Sequence, residues 1–106
     1  MATTTKLERD ATVLDPKHYT VEAENDTVRV VRIRYGSREK SVMHQHQRGI
    51  GVFLTDADFM FTFSDGRVDR VHAKKGDFLS FDEPWEHNAE NNMDQPFEAI
   101  YVEVKS

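Results

Sequence analysis

The sequence predicts an all-β domain, and three observations carry that prediction. Short runs rich in Val, Ile, Phe, Tyr and Thr recur through residues 16–106, separated by turn residues roughly every eight to twelve positions, the rhythm of a sandwich or barrel of about nine strands. Within them apolar residues alternate: Phe59, Phe61 and Phe63 are interleaved with Met60 and Thr62, the period of two that a half-buried strand requires. No segment has helical periodicity with a capping residue at both ends.

Taken in order, residues 1–15 are polar, Thr-rich at the start and aperiodic, and are expected to form a mobile tail or an arm that orders against a partner subunit. Structure is expected from Pro16 to the end as one barrel domain, 16–106. Tyr19 to Ala23 is a short alternating run, Glu24-Asn25-Asp26 has turn chemistry, and Thr27 to Tyr35 is β-branched until Gly36-Ser37 breaks it. Lys40 to His46 reads as the next strand, and Gly49-Ile50-Gly51 as a loose connection into Val52-Phe53-Leu54. The Phe59–Phe63 strand meets a hairpin turn at Ser64-Asp65-Gly66, followed by a strand from Arg67 to His72. A turn at Lys74-Lys75-Gly76 leads to strands over Asp77–Phe81, Glu86 to about Asn91, and Phe97–Val104.

A chain of 106 residues supports about one domain with a modest core. Its net charge of -5 argues against nucleic acid and anionic membranes as partners, since both select clustered basic surface. The expected partner is a small-molecule anionic ligand. Cysteine is absent, which excludes disulfides, thiolate ligands and a cysteine nucleophile. No apolar run approaches the roughly 20 residues of a membrane span, and the first ten residues lack the apolar stretch of a secretory signal. A cytoplasmic protein is expected.

The chemistry concentrates in Met43-His44-Gln45-His46. On a strand His44 and His46 project from one face and can close on one ion. His87, in the stretch Gly76 to His87, is the third candidate ligand. His18 and His72 stand alone and read as ordinary surface or satisfied core residues. Ligating imidazoles usually donate their second ring N–H to an acceptor, and Glu39, Glu83, Glu86 and Glu98 are candidates for that role.

From about Gly36 to Asn91 the chain resembles a small single-domain cupin, a double-stranded β-helix or jelly-roll barrel. The first motif of that family, a glycine, His-x-His, a glutamate and a glycine, is matched by Gly36, His44 and His46; the second is matched by Gly76, Pro84, His87 and Asn91. The glutamate position falls on Ile50, or on Gly51 if the loop is one longer. The resemblance therefore implies a three-histidine variant, similar to β-diketone-cleaving and thiol dioxygenases. A divalent ion held by three neutral imidazoles keeps its charge and favours an anionic chelating ligand. Fe(II) is the expected ion, with Zn, Mn, Ni or Co compatible with the same ligands. The implied activity is dioxygenase chemistry on a diketonate or enolisable acid; a Zn- or Mn-dependent isomerase, lyase or hydrolase, and a non-catalytic binding protein, are the alternatives. The pocket is expected to include Ile50, Trp85 at its mouth, and Gln47 and Arg48 as groups reaching the anion. Cupins commonly pair, so a homodimer is expected.

Overall fold

The computed structural model describes residues 7–105. Among these, nine strands follow one short helix. The elements are α1 (Ala11–Leu14), β1 (Tyr19–Glu24), β2 (Val28–Tyr35), β3 (His44–His46), β4 (Gly49–Phe53), β5 (Ala57–Phe63), β6 (Val68–Ala73), β7 (Phe78–Phe81), β8 (Trp85–Asn91) and β9 (Phe97–Val104). They form a five-stranded sheet in the order β1-β2-β9-β4-β7 and a four-stranded sheet in the order β3-β8-β5-β6, with antiparallel pairing throughout. The predicted all-β class and jelly-roll arrangement are what the chain adopts.

The alternation read in the sequence decides which residues fill the space between the sheets. In β5 Ala57, Phe59 and Phe61 are buried, and in β9 every second residue from Phe97 to Glu103 is. Phe59 packs between Phe53, Phe61 and Phe97 with ring centroids 4.8–5.7 Å apart. These offset and edge contacts add to the apolar area that each ring removes from water. The hairpin turn before β6 is closed by Gly66 at φ 92°, and the turn before β7 by Gly76 at the same value, a conformation that favours glycine.

Three segments depart from the sequence reading. Gly49–Phe53 is a strand in full, although two glycines make it look like a loop. Packing requires Gly49, where a Cβ would sit 2.1 Å from the Val102 carbonyl oxygen, while a Cβ on Gly51 would meet the Tyr101 ring in a tight contact at 3.3 Å. β3 is confined to the histidine pair and the Gln45 between them, with Lys40 joined to Glu90 by an isolated bridge. Residues 1–15 are not a free tail where they are described. Asp10 caps α1 by accepting from Thr12 N–H at 2.8 Å, and Ala11 is 1% exposed. Gln45 N–H donates to the Arg9 carbonyl at 2.6 Å, while Arg9 N–H donates to Gln45 Oε1 at 2.9 Å. β3 is an edge strand, so its backbone needs such partners, and the segment before β1 supplies them. Residues 1–6 lie outside the described part.

Candidate metal centre

His44 and His46 share the inner face of β3, and β3 pairs with β8 so that His44 lies opposite His87. Strand period and register together thus bring all three imidazoles to one point between the sheets, where none is more than 1% exposed. The ligand-bearing nitrogens lie within 4.8 Å of one another. His44 Nε2 is 3.0 Å from His46 Nε2, which is 3.2 Å from His87 Nε2.

Hydrogen bonds among the rings do not account for this convergence. His44 Nδ1 lies 2.7 Å from the Val42 carbonyl; only an N–H can occupy that contact, so the neutral His44 ring turns the lone pair of Nε2 inward. If His46 Nε2 carries a proton it can donate to His44, but it then has no lone pair for His87. If it is unprotonated, it faces His44 lone pair to lone pair. With neutral rings one of the two close contacts is always unsatisfied. Charging the rings is disfavoured as well: desolvation holds His44 and His46 down to about 3 and His87 well below its ordinary value, with neighbouring imidazoles adding to the shift of His44 and His87.

A shared cation resolves the conflict. Three donors at about 2.0–2.1 Å from one ion, separated by tetrahedral or octahedral angles, are about 2.8–3.4 Å apart, a range that contains the His44–His46 and His46–His87 separations. Imidazole donors suit Fe, Zn, Ni and Co, and the trio leaves coordination positions open for a ligand.

Of the two positions expected for the absent carboxylate, only Gly51 faces the cavity. β4 turns Gly49, Gly51 and Phe53 inward, so Ile50 faces outward, opposite Val102, and is 47% exposed. Ile50 is therefore not a pocket residue; strand parity excludes it. Gln47 and Arg48 do not line the cavity either. Their carbonyls tie the loop down, accepting from Tyr101 O–H at 2.6 Å and from Val104 N–H at 3.0 Å. Trp85 does line it, stacked on Phe81 with centroids 3.9 Å apart and donating Nε1–H to Tyr101 at 3.0 Å.

The cavity holds about 50 Å³, and its wall includes His46, His87, Tyr19, Tyr35, Gly51 and a set of Phe, Leu and Ala side chains. It contains no carboxylate, lysine or arginine. The phenol groups of Tyr19 and Tyr35 hydrogen-bond to each other, and burial raises both, and Tyr101 to about 12, so they remain protonated. Trp85 also borders a surface cleft of about 320 Å³ with Phe63, Gln45 and Arg67.

None of the four glutamates expected to orient a ligand does so. Glu39 contacts His18 and Lys17, Glu86 pairs with Arg9, Glu98 pairs with Arg32 and Arg34, and Glu83 is exposed. The carboxylate nearest the trio is Glu103, 2% exposed, with Oε1 3.9 Å from His46 Nδ1. Its signal was present in β9: an acid sharing the face of Phe97, Ala99 and Tyr101 is a buried charge. Desolvation pushes its carboxyl up to about 7, against the pull of Arg29.

No protein-family model matches the sequence, and no curated protein matches it. Solved structures do. A cupin domain from Bordetella pertussis Tohama I superposes with a TM-score of 0.76 at 24% identity, covering 83% of this chain and 92% of the other. The fold is that of a cupin. A cupin superfamily protein from Desulfitobacterium hafniense DCB-2 covers 100% of this chain and 99% of its own, with a TM-score of 0.62 at 13% identity. A variant of salicylate 1,2-dioxygenase from Pseudoaminobacter salicylatoxidans matches over 76% of this chain and 22% of its own length, with a TM-score of 0.59 at 22% identity. At these identities the likeness concerns the barrel; the three-histidine site rests on the residues above.

Proposed function

We propose that this cupin binds a divalent ion, Fe(II) foremost, through His44, His46 and His87, and oxidises a small chelating anion of the diketonate or enolisable-acid type with dioxygen. The observation that carries this reading is the convergence of three Nε2 atoms on one another beside a cavity that His46 and His87 line and whose wall, among the described residues, holds no carboxylate or lysine. Hydrolase or isomerase chemistry calls for a positioned acid or base. Here the phenols are engaged and held as phenols, and the histidines are committed as donors. A bound Fe(II) ion supplies Lewis acidity and the electrons for oxygen chemistry. The chain's own part is to bind, orient and exclude water. The aromatic walls keep the reacting head of the substrate dry, and Gly51 leaves the fourth side open, where a ligand carboxylate would compete with the anion.

A cavity of about 50 Å³ takes a chelating head group and little more. The bulk of a substrate would extend past Trp85, which separates the cavity from the outer cleft. The test is oxygen uptake by iron-loaded protein with a panel of β-diketones and oxo acids. Uptake with iron and none after zinc loading is expected. Turnover without oxygen, or substrate-induced thermal stabilisation with no product, would overturn the oxidative assignment in favour of the zinc or manganese enzyme or the binding protein respectively.

A further inference from the structure

The three ligand rings are held from behind in three different ways. His44 has the Val42 carbonyl at Nδ1. The Nδ1 atoms of His46 and His87 are buried and have no hydrogen-bond partner, alone in this among the buried side-chain nitrogens and oxygens of the described residues. Of the two, His46 faces a carboxylate at this nitrogen, Glu103 Oε1 at 3.9 Å. That separation exceeds a hydrogen bond by about 1 Å.

Glu103 is itself held in place. Arg29 donates Nε–H to its Oε2 at 2.8 Å and brings Nη2 within 2.7 Å of the same oxygen, and Nη2 also donates to Asp10 Oδ2 at 2.8 Å. β2 and β9 set this arrangement directly, because Arg29 and Glu103 are register partners, and Asp10 arrives from the N-cap of α1. When ionised, the row of Asp10, Arg29 and Glu103 carries one net negative charge beside an ion whose first sphere provides none. Arg29 orients the carboxylate and leaves Oε1 directed at the imidazole.

Resting on the metal reading above, we propose that Glu103 is the positioning residue for His46: it receives the Nδ1–H, keeps the Nε2 lone pair toward the ion, and supplies from outside the ligand set part of the negative charge that Gly51 cannot provide. A carboxylate behind a ligating imidazole fixes its tautomer and raises its basicity, and loss of such a partner typically weakens metal binding by about 10- to 100-fold. The arrangement also joins the segment before β1 to the ion, through Asp10 and Arg29.

The experiment measures Co(II) and Zn(II) affinity of the full chain by chelator competition, with the Co(II) visible spectrum as a second readout, for the wild type, Glu103→Gln, Glu103→Asp and Glu98→Gln. Glu98 lies on the outer face and serves as control. Glu103→Gln is expected to bind at least about 10-fold more weakly with a shifted cobalt spectrum, Glu103→Asp to fall between it and the wild type, and Glu98→Gln to match the wild type. Wild-type affinity and spectrum in Glu103→Gln overturn the proposal. Where that variant does not fold, Glu103→Asp decides, since it keeps the charge for Arg29 but withdraws it from His46; wild-type behaviour there overturns the proposal equally. Wild-type protein that binds neither ion refutes the metal reading itself.

Discussion

Buried histidine occurs in this barrel in two settings, and their contrast separates a structural imidazole from a candidate ligand. His18 is 4% exposed and stacks on Tyr35 at 4.3 Å, yet both of its nitrogens are engaged: Nδ1 contacts both oxygens of Asp15 at 2.8 and 2.9 Å, and Nε2 lies 3.1 Å from Glu39. His44, His46 and His87 are buried at least as deeply, but have no carboxylate in hydrogen-bond range and point like atoms at one another. Burial alone therefore does not mark a metal ligand. What marks it is a set of buried nitrogens whose mutual contacts no arrangement of protons can satisfy.

The sharpest way to break this contrast is to remove one member of each group. His44→Ala should abolish stoichiometric metal binding, while His18→Ala should keep affinity within about threefold of the wild type, because it touches no ligand. Elemental analysis after gel filtration checks both, and full occupancy in His44→Ala would defeat the assignment. Acid comes next in size. The folded-state values of His44 and His46 lie near 3, below the ordinary 6.5, so between these limits the unfolded chain binds protons that the folded chain does not. Metal-free stability should then fall as pH drops from about 6.5 toward 3, by several kcal/mol in total. A urea midpoint that stays flat across this window would contradict the buried, neutral trio.

The same His18→Ala variant should cost about 1–3 kcal/mol of stability, since Asp15 and part of Glu39 lose their partner; thermal unfolding of metal-free protein measures it. The smallest effect lies at the cavity rim. Trp85→Phe keeps the stack on Phe81 but removes the donor to Tyr101, a loss of about 1 kcal/mol, and leaves metal affinity unchanged. A large fall in affinity there would mean that Trp85 orders the histidines as well as walling the cavity.

Much of the site was legible before the structure. His44 and His46 two apart on a strand, and His87 behind the Gly76 turn, are local patterns, and the register of β3 against β8 only had to bring them opposite each other. Glu103 was harder to see. Four other glutamates looked equally eligible, and choosing among them requires knowing that β9 lies at the centre of the five-stranded sheet, beside both β2 and β4. Ile50 failed for a related reason. Only the register of the family motif singled it out, and the close approach of β4 to β9 needs glycine at position 49 on the inner face, which sends Ile50 outward.

By itself the sequence determined most of the strands, their turns and which residues of each strand share a face, because those follow from backbone dihedrals and a two-residue period that neighbouring residues set among themselves. The tertiary structure decided which face turned inward in the glycine-flanked β4, which acid stood behind His46, and that residues 9–15 lie against β3. Those outcomes depend on contacts between segments far apart in the chain, such as Arg29 with Glu103 and Arg9 with Gln45, where the cost of an unsatisfied buried group selects the partner.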